Sequence, residues 1–251
     1  MAEKEIITVE NLKKSYGDLV VLENINFSVK KGEIFLICGG SGCGKSTLLK
    51  QMIGLETPDE GTVYIDGDDF THAGPDEQKL FIQKFGVLFQ LGGLFASMTI
   101  AENLGLALEK YTDLPQKRID ELIELKLKSV GLSGLQNRYP SELSGGMKKR
   151  AALARAMVLD PDILFFDEPS TGLDPITSAA LDELIKQLNT GLNTTMVIVT
   201  HDLQSILSIA HRVLMLDKDE TDILAMGTID ELKNMKEEPR VYNFFNRKAN
   251  L

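Results

Sequence analysis

The stretch GGSGCGKS, Gly39 to Ser46, constrains this chain more than any other. It lies between a short apolar run, EIFLIC, and a segment with helical apolar spacing, KSTLLKQMIGL. The eight residues fit G-x-x-x-x-G-K-[ST], in which a buried strand breaks into a glycine-rich loop and then a helix. Glycines let the loop curl into a nest of N–H donors, and the helix N-terminus adds positive potential for an anion. Gly39, Gly40, Ser41, Gly42, Cys43, Gly44, Lys45, Ser46 and Thr47 are therefore the candidate phosphate-binding residues. In such a loop Lys45 reaches the β- and γ-phosphates of a nucleotide, and the Ser46 hydroxyl ligates Mg²⁺. A glycine-rich turn with a solvated lysine is the competing reading, and the strand and helix on either side weigh against it. Cys43 reads as no more than a small loop residue.

The rest of the chain supplies a setting for that loop. ITVENLKKSYG and VVLENINFSVKKGE read as strands, with turns at Gly17-Asp18 and Lys31-Gly32, and GTVYIDG as another strand. Later, DILFFDEP, TTMVIVTHD and HRVLMLD are strand-like and alternate with helical TSAALDELIKQLN, which implies a mostly parallel sheet covered by helices. Between Asp76 and Asn137 helix formers dominate, as in KRIDELIELKLKSVGL, and this region reads as a helical insertion. With 251 residues, the chain suits one large domain with an ample core.

Composition excludes several function classes. A net charge of −10 argues against nucleic-acid binding by general phosphate neutralisation, although Lys148, Lys149 and Arg150 form a local basic patch. Two cysteines, Cys38 and Cys43, fit a reducing compartment better than a disulfide framework. The opening MAEKEIITVEN lacks a signal-peptide pattern, and the longest apolar runs are strand-sized. The expectation is a cytoplasmic protein that meets a membrane only through partners.

Two carboxylates end the apolar strand ILFFDEP. Adjacent strand residues point to opposite sides, so Asp167 and Glu168 should differ in role. Asp167 is placed to hold the Mg²⁺ shell, and Glu168 to position and polarise an attacking water. His201, after VIVT, is either a hydrogen-bonded structural histidine or a γ-phosphate contact, and Gln90, after VLF, is weak alone. In LSGGMKKRAALARAM, Ser144 reads as an N-cap with Gly145 and Gly146 exposing helix N–H groups. The chain already has a phosphate loop for its own nucleotide. This second donor cluster therefore points to a nucleotide held by another copy, hence a dimer with ATP in the seam. A capped, alanine-rich surface helix is the plainer reading.

Taken in order, the phosphate loop, LFQ, LSGG, LFFDEPSTGLDP and THD resemble the ATP-binding-cassette ATPases along nearly the whole chain. The resemblance implies an α/β fold: a P-loop NTPase (RecA-like) core with an N-terminal antiparallel β-subdomain and an inserted α-helical subdomain. It divides the single domain into core and β-subdomain (about 1–90 and 159–235), helical subdomain with the signature helix (about 91–158) and a C-terminal extension (236–251). It implies ATP and Mg²⁺ as ligands and a head-to-tail homodimer. Tyr16 matches the position that stacks on adenine, Gln90 the loop that senses Mg²⁺ and the membrane partner, Asp174 the loop that crosses the seam, and His201 the switch histidine. Met147 departs from the usual glutamine, and its thioether cannot replace the amide's hydrogen bonds.

LFQLGGLFASMTIAENLGLAL and the methionine after LSGG resemble the ATPase subunit of Mla-type phospholipid and lipid-trafficking transporters. That group implies a multi-spanning, MlaE-like permease, an MlaD-like substrate-binding protein and a small STAS-domain regulator as partners, with the ATPase peripheral on the cytoplasmic face of the inner membrane. A small-solute importer subunit and a regulatory cell-division-type cassette are the alternatives. The tail EPRVYNFFNRKAN resembles the group's C-terminal extension, which implies reach across to the other copy. Phe244 and Phe245 would bury apolar area there, or else belong to a frayed end.

Overall fold

A computed structural model describes residues 4–248. The chain opens with two long strands, β1 (Glu5–Tyr16) and β2 (Leu19–Lys30), paired antiparallel across the tight Gly17-Asp18 turn. Ile7, Val9 and Leu12 on β1 and Leu22, Ile25, Phe27 and Val29 on β2 are buried. Strand β4 (Glu60–Ile65) takes the other edge of β1, and the two-residue β5 (Asp68–Asp69) completes the first sheet in the order β2-β1-β4-β5.

The second sheet holds β3 (Ile34–Gly39), β6 (Phe85–Leu88), β7 (Ile163–Asp167), β8 (Thr195–Val199), β9 (Arg212–Leu216) and β10 (Ile223–Gly227) in the order β10-β9-β3-β8-β7-β6. Every pairing is parallel except β10 with β9. Such strands are covered on both faces, which is why β3 and β8 are buried along their whole lengths and read as continuous apolar runs. One apolar cluster fills the space between the two sheets around α1 (Lys45–Met52), with Phe27 stacked on Phe35 at 5.4 Å. The other lies under the helices on the opposite face, among them α3 (Ile100–Tyr111), α4 (Gln116–Ser129), α5 (Gly145–Ala156) and α6 (Pro175–Leu192). This is the expected α/β fold, with its antiparallel sheet and its block of helices.

The helical reading of 76–137 needs correction. Helix α2 (Pro75–Lys84) leads directly into β6, an edge strand of the main sheet, and the helices of the insertion follow only at α3. FGVL is too short to announce a strand by periodicity, and its place is fixed by tertiary contact. A Cβ on Gly86 would sit 1.9 Å from the Ala156 carbonyl oxygen, so the end of α5 rests directly on the β6 backbone.

Residues 89–99 form an irregular segment between β6 and α3. Asn103, fully buried, donates to the carbonyls of Phe95, Met98 and Thr99 and accepts from the Phe95 N–H, which fastens that segment to α3. At its end Thr99 and Glu102 form a reciprocal capping box.

After α7 (Leu203–Ile209), β9 and β10, the chain finishes in α8 (Ile229–Asn234) and α9 (Pro239–Phe245). The tail is not frayed: Val241 and Phe245 are buried against their own chain, and the Asn246 amide donates to the Lys233 carbonyl at 2.9 Å. Ala249, Asn250 and Leu251 of that tail, like the first three residues, lie outside the described residues. Among the described residues no helix is long and apolar enough to cross a membrane.

Candidate active site

Because the strands of the main sheet run parallel, their C-terminal ends share one edge, and in open α/β sheets ligands bind beyond that edge. Gly39 ends β3, Gln90 follows β6, Asp167 ends β7, His201 follows β8 and Asp217 follows β9. A cavity of about 790 Å³ opens there, bordered by the loop residues Gly39–Gly42, by Lys45 and Ser46, and by Gln90, Glu168 and His201.

The loop owes its shape to glycine. Gly39, Gly42 and Gly44 have φ of 144°, 78° and 94°, which side-chain-bearing residues rarely adopt. A Cβ at Gly39 would fall 2.3 Å from the Leu216 carbonyl oxygen, so glycine there also lets the loop lie against β9. Helix α1 has no side-chain cap at Gly44, and its first N–H groups turn toward the loop. The Lys45 ammonium lies across the loop mouth, donating to the Gly39 and Gly40 carbonyls at 3.0 and 2.9 Å. Cys43 is buried beneath, and burial pushes its thiol pKa up.

Asp167 ends β7 half-buried. Burial raises its pKa and Glu168 adds to the rise, opposed by Lys50, Lys149 and a hydrogen bond from Ser46. One of its carboxylate oxygens is buried without a hydrogen-bond partner among the described residues. A buried, unpaired carboxylate oxygen beside a serine hydroxyl is the donor chemistry of a hard divalent cation.

Glu168 does not continue the strand. Its φ is +47°, a left-handed conformation at a residue with a full side chain. Its separation from Asp167 thus comes from this turn rather than from strand alternation. The Glu168 N–H donates to the Val199 carbonyl at 2.9 Å, and its carboxylate lies 2.8 Å from the His201 Nδ1. Strands β7 and β8 therefore deliver the two candidate catalytic side chains as a bonded pair.

The remaining candidates are dispersed. Tyr16 is half-exposed at the end of β1, its hydroxyl bonded to Glu56, which also pairs with Lys50 at 2.9 Å. Both partners hold the Glu56 carboxyl below its ordinary range, the Tyr16 bond contributing most. Thr47 lies in the first turn of α1 outside the cavity lining. Ser144 caps α5, accepting from the Met147 N–H at 3.3 Å, while Gly145 and Gly146 lead the helix. A Cβ at Gly146 would meet Thr177 at 2.5 Å, so close helix packing requires that glycine independently of any anion. Asp174 caps α6, accepting from the N–H groups of Ile176 and Thr177. In a single chain the signature residues border a different cavity from the phosphate loop.

Several residues at the site were not expected there from the sequence. Met215, Asp217, Arg240, Phe244 and Lys248 form one wall of the nucleotide-sized cavity, the last three from α9 and the residues that follow it. Met215 and Asp217 arrive with β9, and only the folding back of the tail brings Arg240, Phe244 and Lys248 there. Lys149, one of the three residues of the local basic patch, is buried.

The sequence profile of the ABC transporter family matches residues 22–171, more than half of the chain. This chain belongs to the ABC transporter family. It is an ATPase of that family, and the cavity at the sheet edge is its candidate ATP site. At 42% identity it is similar to the Haemophilus influenzae "Intermembrane phospholipid transport system ATP-binding protein MlaF", covering 91% of this chain and 86% of that one. The Mycobacterium leprae "Probable ribonucleotide transport ATP-binding protein mkl" is 39% identical, over 96% of this chain and 68% of that protein. Among solved structures, the dimeric ATP-binding cassette MJ0796 bound to ADP and Pi superposes with a TM-score of 0.80 at 32% identity, covering 89% of this chain and 98% of that one.

Proposed function

We propose that this ABC ATPase energises a membrane permease that moves phospholipid between membranes. The observation that carries the chemical half of this reading is the Glu168–His201 pair, which faces Lys45 and Ser46 across one cavity. The likeness to MlaF over nearly the full chain supports the cargo.

The N–H groups of the Gly39–Gly44 loop and the Lys45 ammonium hold the triphosphate, and Tyr16 stacks on the adenine. Ser46, Asp167 and Gln90 would hold Mg²⁺, which would supply charge neutralisation at the phosphate oxygens. Glu168 orients and polarises the attacking water, and His201 holds Glu168 while reaching toward the γ-phosphate. Two copies pack head to tail, so that Ser144, Gly145 and Gly146 of one meet the ATP of the other and Asp174 lies near the seam; the dimeric cassette of the same fold supports this arrangement. Met147, whose side chain packs toward the core, leaves the backbone donors to do this work.

The permease docks beside the Gln90 loop, where Leu91 is 96% exposed and Phe89 and Phe95 are also open. The protein sits peripherally on the cytoplasmic face of the inner membrane, with an MlaE-like permease and, as further partners, an MlaD-like protein and a STAS-domain regulator. The division into core with β-subdomain, helical subdomain and C-terminal extension belongs to the same reading.

Two experiments test it. Lys45→Ala loses ATP binding, and Glu168→Gln binds ATP but turns over slowly; tight ATP binding by the first or normal turnover by the second refutes the assignment. Affinity purification from native membranes, with mass spectrometry of proteins and lipids, tests the cargo. A permease with enriched phospholipid supports the reading, and a permease with bound ribonucleotide and no lipid overturns it.

A further inference from the structure

The signature helix α5 carries a lysine that the proposed mechanism does not use. Lys149 is only 7% exposed, and its ammonium donates to the Gln90 carbonyl at 2.5 Å while facing the Glu168 carbonyl at 3.5 Å. Burial lowers its pKa, and the Asp167 and Glu168 carboxylates pull it back toward the charged form. A buried cation is tolerated where its donors find acceptors and opposite charge is near; here two carbonyls receive the ammonium and two carboxylates lie close enough to favour its charged form.

Its two carbonyl partners belong to different parts of the fold, one on the loop after β6 and one on the turn after β7. Helix α5 grips the first of these twice. Arg155 also donates to the Gly93 carbonyl at 2.5 Å and lies over the Phe95 ring at 5.2 Å. The Glu168 peptide is held from both sides: its N–H donates to Val199 on β8, and its carbonyl accepts from the Thr171 N–H at 3.2 Å with the Lys149 ammonium at 3.5 Å beside it. Between these contacts Glu168 holds a left-handed backbone, φ +47°, which is uncommon for a residue with a full side chain.

We propose that Lys149 is a positioning residue for ATP hydrolysis: it ties the orientation of Glu168 and the Gln90 loop to the seat of the signature helix. The inference rests on the reading of Glu168 as the residue that polarises water. Lys149 does not border the candidate ATP cavity and acts through the two backbone carbonyls. When α5 is seated, the Glu168 carboxylate is aimed; when the helix shifts, that aim is lost.

The test uses the whole chain and four variants: Lys149→Met, which keeps the side-chain volume without charge or donors; Lys149→Gln, which keeps a donor without charge; Glu168→Gln; and Glu168→Gln with Lys149→Met. Misplacing a catalytic group by about 1 Å can cost on the order of a hundredfold. Lys149→Met should accordingly lower kcat by roughly tenfold or more, with Lys149→Gln between it and the parent. The KM for ATP and the affinity for trinitrophenyl-ADP should stay within about twofold, since phosphate binding is left in place. In single-turnover measurements on the Glu168→Gln background, Lys149→Met should cause no further loss, because residues acting as a unit are not additive.

An unchanged kcat, a loss carried by KM, or an undiminished second loss on top of Glu168→Gln would each overturn the proposal. If Lys149→Met fails to bind the fluorescent nucleotide, Lys149→Gln carries the same comparison. Normal turnover by Glu168→Gln alone defeats the water-polarising role and this inference with it. A slow Glu168→Gln beside a normal Lys149→Met removes Lys149 only.

Discussion

Replacing Asp182 with asparagine should stabilise this protein at neutral pH and leave it unchanged near pH 4. Asp182 is buried on α6, where its carboxylate accepts from the Ser205 hydroxyl at 2.7 Å, so that it bridges to α7 behind the His201 turn. Burial raises its pKa from 3.8 to about 6; Asp202 adds to the rise, while the Ser205 bond and Lys186 oppose it. A raised carboxyl pKa means that the folded state binds the proton more tightly than the unfolded chain does. Below pH 3.8 both states are protonated and the group costs nothing. As pH climbs from there to about 6 the unfolded state ionises first, and stability is lost until both are charged. A gap of about two units is worth ~3 kcal/mol at 1.36 kcal/mol per unit, fully expressed above pH 6. The substituted amide cannot ionise and its oxygen still accepts from Ser205, so the change removes that penalty. For a chain of this size ~3 kcal/mol corresponds to a Tm rise of roughly 6–12 °C, an upper value because the new N–H₂ also needs partners. Scanning calorimetry of parent and Asp182→Asn at pH 4, 6 and 8, at fixed ionic strength, measures it. A Tm difference that does not grow from pH 4 to pH 8, or a less stable variant at pH 8, would refute the argument.

Other outcomes follow from single contacts. Gly86→Ala should destabilise the fold by about 1–3 kcal/mol or more, since its Cβ would collide with the Ala156 carbonyl and push α5 off β6; urea denaturation reads it. Ser144→Ala should lose about 1 kcal/mol through the missing cap on Met147, and in the head-to-tail reading should also weaken the ATP-dependent dimer seen by light scattering. Tyr16→Phe keeps the ring but breaks the bond to Glu56, so it should weaken ATP binding by a few-fold, on the scale of one hydrogen bond, and less than Tyr16→Ala does; equal affinities across the three proteins would deny the ring a role.

The site was legible wherever chemistry follows chain order. Gly39–Ser46, Asp167-Glu168 and His201 each end or follow an apolar strand, and parallel strands carry their ends to one edge, so the sequence already implied that these residues could meet. What it lacked was any sign of Glu168's left-handed turn, which replaces strand alternation as the reason the two carboxylates diverge. In sequence, Lys149 is one of three cations in a local basic patch, with nothing to set it apart, since a lysine is ordinarily exposed. Its burial follows from the close seat of α5 on the main sheet, which Gly86 permits from a distant part of the chain.

By itself the sequence determined the phosphate loop, the strand-borne carboxylates and the α/β alternation, because glycine conformations, helix starts and hydrophobic periods are local properties. Tertiary structure alone decided that β6 closes the sheet inside an otherwise helical stretch, that the C-terminal helix folds back to wall the cavity, and that a lysine of the signature helix is buried between the Gln90 and Glu168 carbonyls. Each depends on packing between segments far apart in the chain, where burial and backbone carbonyls, rather than residue type, set the partner.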